Sequence, residues 1–324
     1  MLAKIKSLFH PKPTDSKRGQ EPRWLPSAIA FICIVAIGSI AIYITNGSII
    51  TFDIRPNAAT STPPALHNQP TTGRDYPLHT DINATTFWVG EQFQATIDGS
   101  QVCSAYDSQW QYSHFRLKTE VNSTIGCRGA LAGGCDALQN NAKGDCDDSD
   151  SIGSLRTPAN GYFPIELPPV YESPFYLALP YDDYSQSTGE ETTGYATRCK
   201  DIPWADSPGY AGNCTNQAFS YMKNRFVKIM ANDKTCYGQI EDAGPADSGN
   251  GNGNYADATY VFGATDARPF NKSYNASGID ISPALNACLG GTFNDYLTVS
   301  WQFIDTINVP AGPWKTIITT SKPN

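Results

Sequence analysis

The sequence predicts an all-β fold: a small closed barrel with loop insertions, rich in disulfides and preceded by one transmembrane helix. Three observations carry this. From Tyr162 onward the chain is a series of short β-branched or aromatic runs separated by Gly, Asp, Asn and Pro turns, with one well-marked helix and no long strand-helix-strand spacing. Residues 25–44 are twenty in a row without a charge. Eight of the nine cysteines lie beyond that run, and an even set in an exported domain reads as disulfides.

At 324 residues, with 40% hydrophobic content, the chain can bury a sizeable core. Its net charge of −8 is unevenly placed: residues 1–24 carry Lys4, Lys6, Lys12, Lys17, Arg18 and Arg23 against Asp15 and Glu21, a head of +4 on a body of −12. A net-negative body lacks the positive footprint that nucleic acid or an anionic membrane surface requires. A neutral or cationic partner is expected, and no nucleic acid.

Residues 1–24 therefore read as a cytoplasmic basic head. Residues 25–45 read as a transmembrane helix, because LPSAIAFICIVAIGSIAIYI is apolar all round, about one bilayer long, and longer than the apolar part of a cleaved signal peptide. The Lys/Arg bias places the N-terminus inside and the main domain outside, in the periplasm or at the cell surface. Residues 46–86 are rich in Pro, Thr, Ala and Asn without apolar periodicity, and read as a tether. Residues 87–160 begin with an aromatic strand signal, Phe87, Trp88 and Val89, then turn Gly-, Asp- and Cys-rich, a pattern expected of a disulfide-pinned insertion.

The acidic run DCDDSD, 145–150, lacks the Gly and distal Glu of an EF-hand loop and reads as solvated. No C-x-x-C occurs, and His114 is the sole histidine beyond the tether, so zinc is not expected and neither is any cofactor. Connectivity among the eight cysteines stays open. Cys127 with Cys135, and Cys199 with Cys214, are the nearest pairs in sequence.

Residues 161–324 hold the barrel domain. Strands are expected within 174–184, 224–230, 235–242, 258–264, 278–282 and 297–305. In the last, Leu297, Val299, Trp301 and Phe303 alternate with Thr298, Ser300 and Gln302, a strand with one buried face. The helix is marked by Ser282 as N-cap, Pro283 at the first helical position, Leu285, Cys288 and Leu289 on one face, and Gly290-Gly291 at its end.

The stretch CYGQIEDAGP, 236–245, ends a strand in two carboxylates, Glu241 and Asp242, against a turn. In GIDIS, Ile279 and Ile281 point to one side of the strand and Asp280 to the other. With the isoleucines inside the barrel, Asp280 stands on a groove wall just before a helix N-terminus, and Asp242, expected on a neighbouring strand, shares the cleft. One protonated and one ionised carboxyl is the layout for acid/base work on a glycosidic bond. A structural turn role for Asp242 stays open beside this one, since Asp and Gly-Pro are ordinary turn formers. Glu241, on the other face, reads as solvated or salt-bridged. The absence of G-x-S-x-G and of a usable histidine other than His114 excludes a serine hydrolase.

TCYGQIEDAGP followed by GIDISPALNACLGG and YLTVSWQFID resembles the double-psi β-barrel group of rare lipoprotein A-like proteins, expansins and family 45 endoglucanases. More closely, TTFWVGEQF, PFYLALPYDD, KNRFVKIMANDKTCYGQIEDAGP, YVFG, GIDISPA and VPAGPW are similar to phrases shared by a set of exported bacterial proteins. The barrel resemblance covers about residues 170–308 and the closer one reaches back to Thr85. It implies a six-stranded double-psi barrel, Asp280 as proton donor and Asp242 as a cleft residue. The sequence departs from that pattern at Tyr176, where those members have a His three residues before Leu-Pro; Asp182 and Asp183, just after Leu179-Pro180, are then candidates for a second base.

Three functions compete on these residues. One is a membrane-tethered enzyme acting on cell-wall glycan, polysaccharide or peptidoglycan, in which Asp280 protonates the leaving oxygen while Asp242 or Asp183 activates water or orients the sugar. Tyr176, Tyr181, Asp182 and Glu241 would then line the substrate site. Another is an expansin-like binder that keeps the acid and lacks the base. The third is a non-catalytic scaffold at the cell envelope. All three place the cysteines outside the reducing cytosol, so mass spectrometry after thiol labelling of unreduced protein should find few or no modified residues from Cys103 to Cys288; several labelled thiols there would refute the exported topology.

Overall fold

In the computed structural model the described residues are 40–45 and 48–53, as backbone, then 74–91, 101–116, 136, 156–164, 169–187, 191–246, 253–292 and 295–324. The chain divides into two units, Met1–Thr62 and Pro63–Asn324. In the first, β1 (Ile40–Thr45) and β2 (Ser48–Asp53) pair as an antiparallel hairpin. Residues 25–39 of the expected membrane span lie outside the described residues, as does the acidic run at 145–150. Among the described residues no helix is long and apolar enough to cross a membrane.

The second unit is built on a closed six-stranded barrel. Its strands are β3 (His79–Thr86), β4 (Tyr176–Leu179), β6 (Phe226–Ala231), β7 (Lys234–Ala243), β9 (Ile279–Ile281) and β10 (Leu297–Ile304), in the order β10-β3-β9-β4-β7-β6. The short β5 (Thr192–Thr193) and β8 (Asn254–Tyr255) form a separate parallel pair, and the first two helices in chain order are α1 (Trp110–Phe115) and α2 (Arg198–Asp201). Two pairings in the barrel are parallel, β3 with β9 and β4 with β7, and the other four are antiparallel. Exchanging β3, β4 and β6 for β7, β9 and β10 leaves the order and the sense of every pairing unchanged.

Alternation fills the inside. Val299, Trp301 and Phe303 of β10 face inward and stand opposite Ile82, Ile229 and Val227, while Leu177 stands between Ile240 and Ile281. These side chains are buried, and each removes apolar surface from water. The tight β6–β7 hairpin turns on Asn232 and Asp233, both at positive φ (49° and 58°), a conformation that short polar side chains tolerate. The helix α4 (Pro283–Leu289) starts and ends as the sequence reads: the Ser282 hydroxyl accepts from the Leu285 N–H, and Gly290 closes it at φ 74°. Its Leu285 packs where a Cβ on Gly238 would lie 2.7 Å from Leu285 Cδ1, so β7 has no side chain there. A disulfide between Cys236 and Cys288 fastens α4 to β7, and Cys199–Cys214 closes the expected near pair. Cys127 and Cys135 lie outside the described residues.

Two sequence expectations are corrected. The tether was to run to residue 86, yet β3 lies within it. Only His79, Ile82 and Ala84 of β3 are buried, and an extra residue opposite Val299–Trp301, with Asp81 at φ 54°, breaks the alternation that would have marked a strand. Phe87 and Val89 follow β3 and pack beside Trp110, Phe115, Tyr176 and Ala178. At 258–264 the expected strand is instead a helical turn, α3 (Ala258–Val261): the Asp257 carboxylate accepts from the Tyr260 N–H, and this local cap prevails over a β-branched, aromatic composition. α3 delivers the Tyr260 hydroxyl to the indole N–H of Trp301, 2.8 Å away.

Buried cations tie the loops to the barrel. Arg198 donates to five backbone carbonyls, of Asp183, Asn213, Cys214, Asn216 and Phe219. Arg225, fully buried, reaches Asp305 at 3.3 Å and the Tyr76 hydroxyl at 2.9 Å, with its guanidinium 4.4 Å from the Trp204 ring centre. Removing one partner of such a pair strands a charge away from water. Asp305→Ala should cost roughly 3–5 kcal/mol in urea unfolding; a loss under about 1 kcal/mol would mean that Asp305 is not what balances Arg225.

Candidate functional site

The site is built on a row across four strands. Thr85 of β3 stands opposite Asp280 of β9, Asp280 opposite Ala178 of β4, and Ala178 opposite Asp242 of β7. Residues in register share a face. That face is the outside of the barrel, because the flanking Ile279, Ile281, Leu177 and Leu179 belong to the interior. Asp242 and Asp280 are thus not on neighbouring strands as expected. β4 lies between them, which sets their Cα atoms about 10 Å apart, two strand spacings. The small Ala178 between the two carboxyls is itself buried, packed with Phe87, Val89, Trp110, Phe115 and Tyr176. Gly244 lies beside the pair without a side chain, and a Cβ there would sit 3.1 Å from Asp280 Oδ2 and 3.9 Å from Ala178 Cβ.

Asp242 reaches this face through a β-bulge. Leu177 pairs with Ile240 and Ala178 with Asp242, so Glu241 is an extra residue on β7. A bulge re-aims the side chains that follow it. Glu241 is buried against Lys223, 2.8 Å from its ammonium. For Lys223, attraction to Glu241, Glu172 and Asp107 outweighs desolvation and raises its pKa. Of the two sequence readings of Glu241, salt-bridged stands and solvated does not, and its place in the substrate site is withdrawn for the same reason.

The two carboxyls have different surroundings. Asp242 Oδ1 accepts from the backbone N–H of Ala105 at 2.7 Å and of Ala243 at 2.8 Å, and the Gln101 amide, turned to donate, lies 3.2 Å from Oδ2. Burial pushes Asp242 up to about 7 against these two N–H donors, which favour its charged form. Asp280 keeps partial exposure and takes a hydrogen bond from the Thr85 hydroxyl. Desolvation, then the Asp242 charge, push it up to about 8. The pair titrates as a unit. Within it the donors on Asp242 favour proton loss there, and Asp280 is the carboxyl that keeps its proton near neutral pH.

The other predicted site residues fall elsewhere. Asp183, offered as a base, is fully buried and accepts from Ser220 Oγ at 2.5 Å and the Tyr221 N–H at 2.6 Å; burial raises it to about 6. It fixes the loop that Arg198 gathers and cannot reach a substrate. Asp182 is buried and accepts from the N–H groups of Tyr184 and Ser185, a turn role. Tyr181 is buried, its hydroxyl on Asp201. Tyr176 shares the outer face but lies under the rings of Phe87, Trp110 and His114, with its hydroxyl donating to Asp136 and accepting from the Val89 N–H.

Sequence reasoning missed Thr85, the Ala105 N–H, Gln101, Ala178 and Tyr255. Tyr255, half-buried on β8, has its phenol raised by burial and by the charges of Glu191, Asp242, Asp182 and Asp280. Only Gly244, inside the quoted CYGQIEDAGP, carried a signal. Among the described residues no group of three or more His, Cys, Asp or Glu is placed to hold a metal ion. No protein-family model, curated protein or solved structure matches the chain.

The raised carboxyls have a consequence for stability. An acid whose folded pKa exceeds its unfolded value, about 4, holds its proton more tightly in the folded state; its contribution is full below that value and is lost as pH rises through about 7 to 8. Asp280→Asn cannot ionise. Its melting temperature relative to wild type should therefore climb between about pH 5 and pH 9, and a difference that stays flat across this range would show that Asp280 is not a shifted acid.

Proposed function

We propose that this protein is a polysaccharide-cleaving or polysaccharide-holding envelope protein, acting on cell-wall glycan through the acidic recess on its barrel. The observation that carries this reading is the carboxyl pair itself: Asp280, partly exposed and held by the Thr85 hydroxyl, and Asp242, held by two backbone N–H groups that favour its charged form, on either side of Ala178, with burial raising both. Two carboxyls kept apart in protonation state are what glycosidic bond cleavage uses. The double-psi resemblance is supported by the barrel's order, which is unchanged when its first three strands are exchanged with its last three. A single-pass anchor at residues 25–44, with the N-terminus inside, would hold the domain outside the cell, as the charge bias and the uncharged run suggest.

In the cleaving mode the Asp280 proton passes to the glycosidic oxygen as its bond to the anomeric carbon breaks. The positive charge that develops on the sugar faces ionised Asp242. A hydroxyl, from water or from the sugar itself, then closes on the anomeric carbon and its proton returns to Asp280. Asp242 acts here as a fixed charge, because Oδ1 is already engaged by two N–H groups. The same observation favours a second reading, binding without cleavage in the expansin manner, since among the described residues no mobile base stands opposite the acid.

The test is incubation of the full chain with purified peptidoglycan, cellulose and chitin, following sedimentation and soluble products together. Asp280→Asn should reduce product release by roughly 10²–10⁴-fold while retention on the glycan is nearly unchanged. Asp242→Asn should weaken cleavage or retention more than it lowers the melting temperature. Retention without products in the wild type would select the binding mode. If both substitutions cost only stability, on the order of 1 kcal/mol for a lost local hydrogen bond, and leave retention per folded molecule unchanged, the pair is architecture and the scaffold function stands.

A further inference from the structure

The row that holds the carboxyls continues past Thr85. Leu297, the first residue of β10, is opposite Ala84 in an antiparallel pairing, and Tyr296, just before the strand, projects toward Thr85 when that register is continued by one step. Tyr296 then stands on the outer face at the end of the line Thr85, Asp280, Ala178, Asp242, and it is 51% exposed. A second exposed ring, Tyr274 at 56%, lies on the turn before β9, where the Asn275 carbonyl accepts from the Asn83 side chain at 2.7 Å. Between the two rings the outer face presents Asn83, Thr85 and Thr298, an amide and two hydroxyls without a charge, with Thr298 opposite Asn83.

This surface is polar, carries no charge at Asn83, Thr85 or Thr298, is flanked by two exposed aromatic residues, and shares the register row of Asp280. Those properties select among ligands. A nucleic acid or an anionic lipid would meet Asp280 and no cation along this row, whereas the alternation of ring faces and hydroxyls in a sugar chain matches aromatic rings set among hydroxyl and amide groups. We infer that the outer face of β10 and β3, from Thr85 to Tyr296 with Tyr274 at its flank, is an extended subsite for the uncharged sugar units that follow the bond held at Asp280. Tyr296 lies about 10 Å from Asp280, two strand spacings away. The sugar next to the held bond lies over Thr85, and the ring after it stacks on Tyr296. The inference rests on the glycan reading and adds the stretch of chain that the protein grips.

The test uses the full chain and insoluble peptidoglycan, cellulose and chitin as probes, with binding isotherms from depletion of the supernatant and melting temperatures measured alongside. On whichever probe retains the wild type, Tyr296→Ala should weaken binding by about tenfold, and Tyr296→Trp should bind within about twofold of wild type because the ring is kept. Ile307→Ala, which removes an exposed apolar side chain beyond the far end of β10, should change nothing. Thr298→Glu puts a charge on the face at an exposed position and should also weaken binding by about tenfold; it decides the matter if Tyr296→Ala proves unstable. Wild-type affinity in both Tyr296→Ala and Thr298→Glu would overturn the subsite and leave the glycan reading intact. Failure of all three probes to retain the wild type would overturn the glycan reading and the subsite with it.

Discussion

The extra residue in β7 is the constraint on which the recess depends. With regular pairing Ala178 would face Glu241, and Asp242 would turn away from the row. The bulge between Ile240 and Asp242 sends Glu241 to the buried ammonium of Lys223 and brings Asp242 beside Ala178. One local irregularity thus serves both the interior and the surface. The ion pair gives the bulge a reason to persist, because Glu241 in any other orientation would leave Lys223 buried without its nearest counter-charge.

The recess also depends on what covers the barrel. The outer face of a small barrel is ordinarily wet, and a carboxyl there would titrate near its usual value. Here Phe87, Val89, Trp110 and Phe115 close over Tyr176 and Ala178, and the segment around Ala105 lies against Asp242. That cover removes water from two carboxyls and replaces it unequally: two backbone N–H groups for Asp242, one hydroxyl for Asp280. Inequality of this kind separates an acid from its conjugate partner. The covering segment is itself tied down, with the Tyr106 hydroxyl on the Tyr181 carbonyl and Ser108 and Asp107 on Asn324.

Long excursions between short strands need anchors that a six-stranded barrel cannot supply from its own surface. Arg198 and Arg225 provide them. Each guanidinium is buried at the meeting of several segments and satisfied by carbonyls, a carboxylate or a phenol, a role that suits a planar five-donor group better than an ammonium. The Cys199–Cys214 disulfide closes the same loop that Arg198 gathers, so covalent and polar restraints act together on it.

The sequence by itself determined the elements whose signals are local. Alternation placed β10, the flanking isoleucines placed Asp280 on the outer face of β9, and Ser282, Pro283 and Gly290 bounded α4, each through contacts within a few residues. It named Asp280 and Asp242 as a pair for the same reason: strand ends and turn residues are readable one stretch at a time. Tertiary structure alone decided the rest. β3 was hidden because only three of its side chains face inward and a bulge interrupts their period; α3 displaced a strand because a single Asp257 cap outweighed composition. Asp183, Asp182, Tyr176 and Tyr181 carry the right chemistry but were committed to buried partners distant in the chain, such as Ser220, Asp136 and Asp201. The strand between the two carboxyls, the bulge that turns Asp242 outward and the ring of Tyr296 at the end of the row are all consequences of register, which is fixed by pairing between segments far apart in sequence and leaves no mark within any one of them.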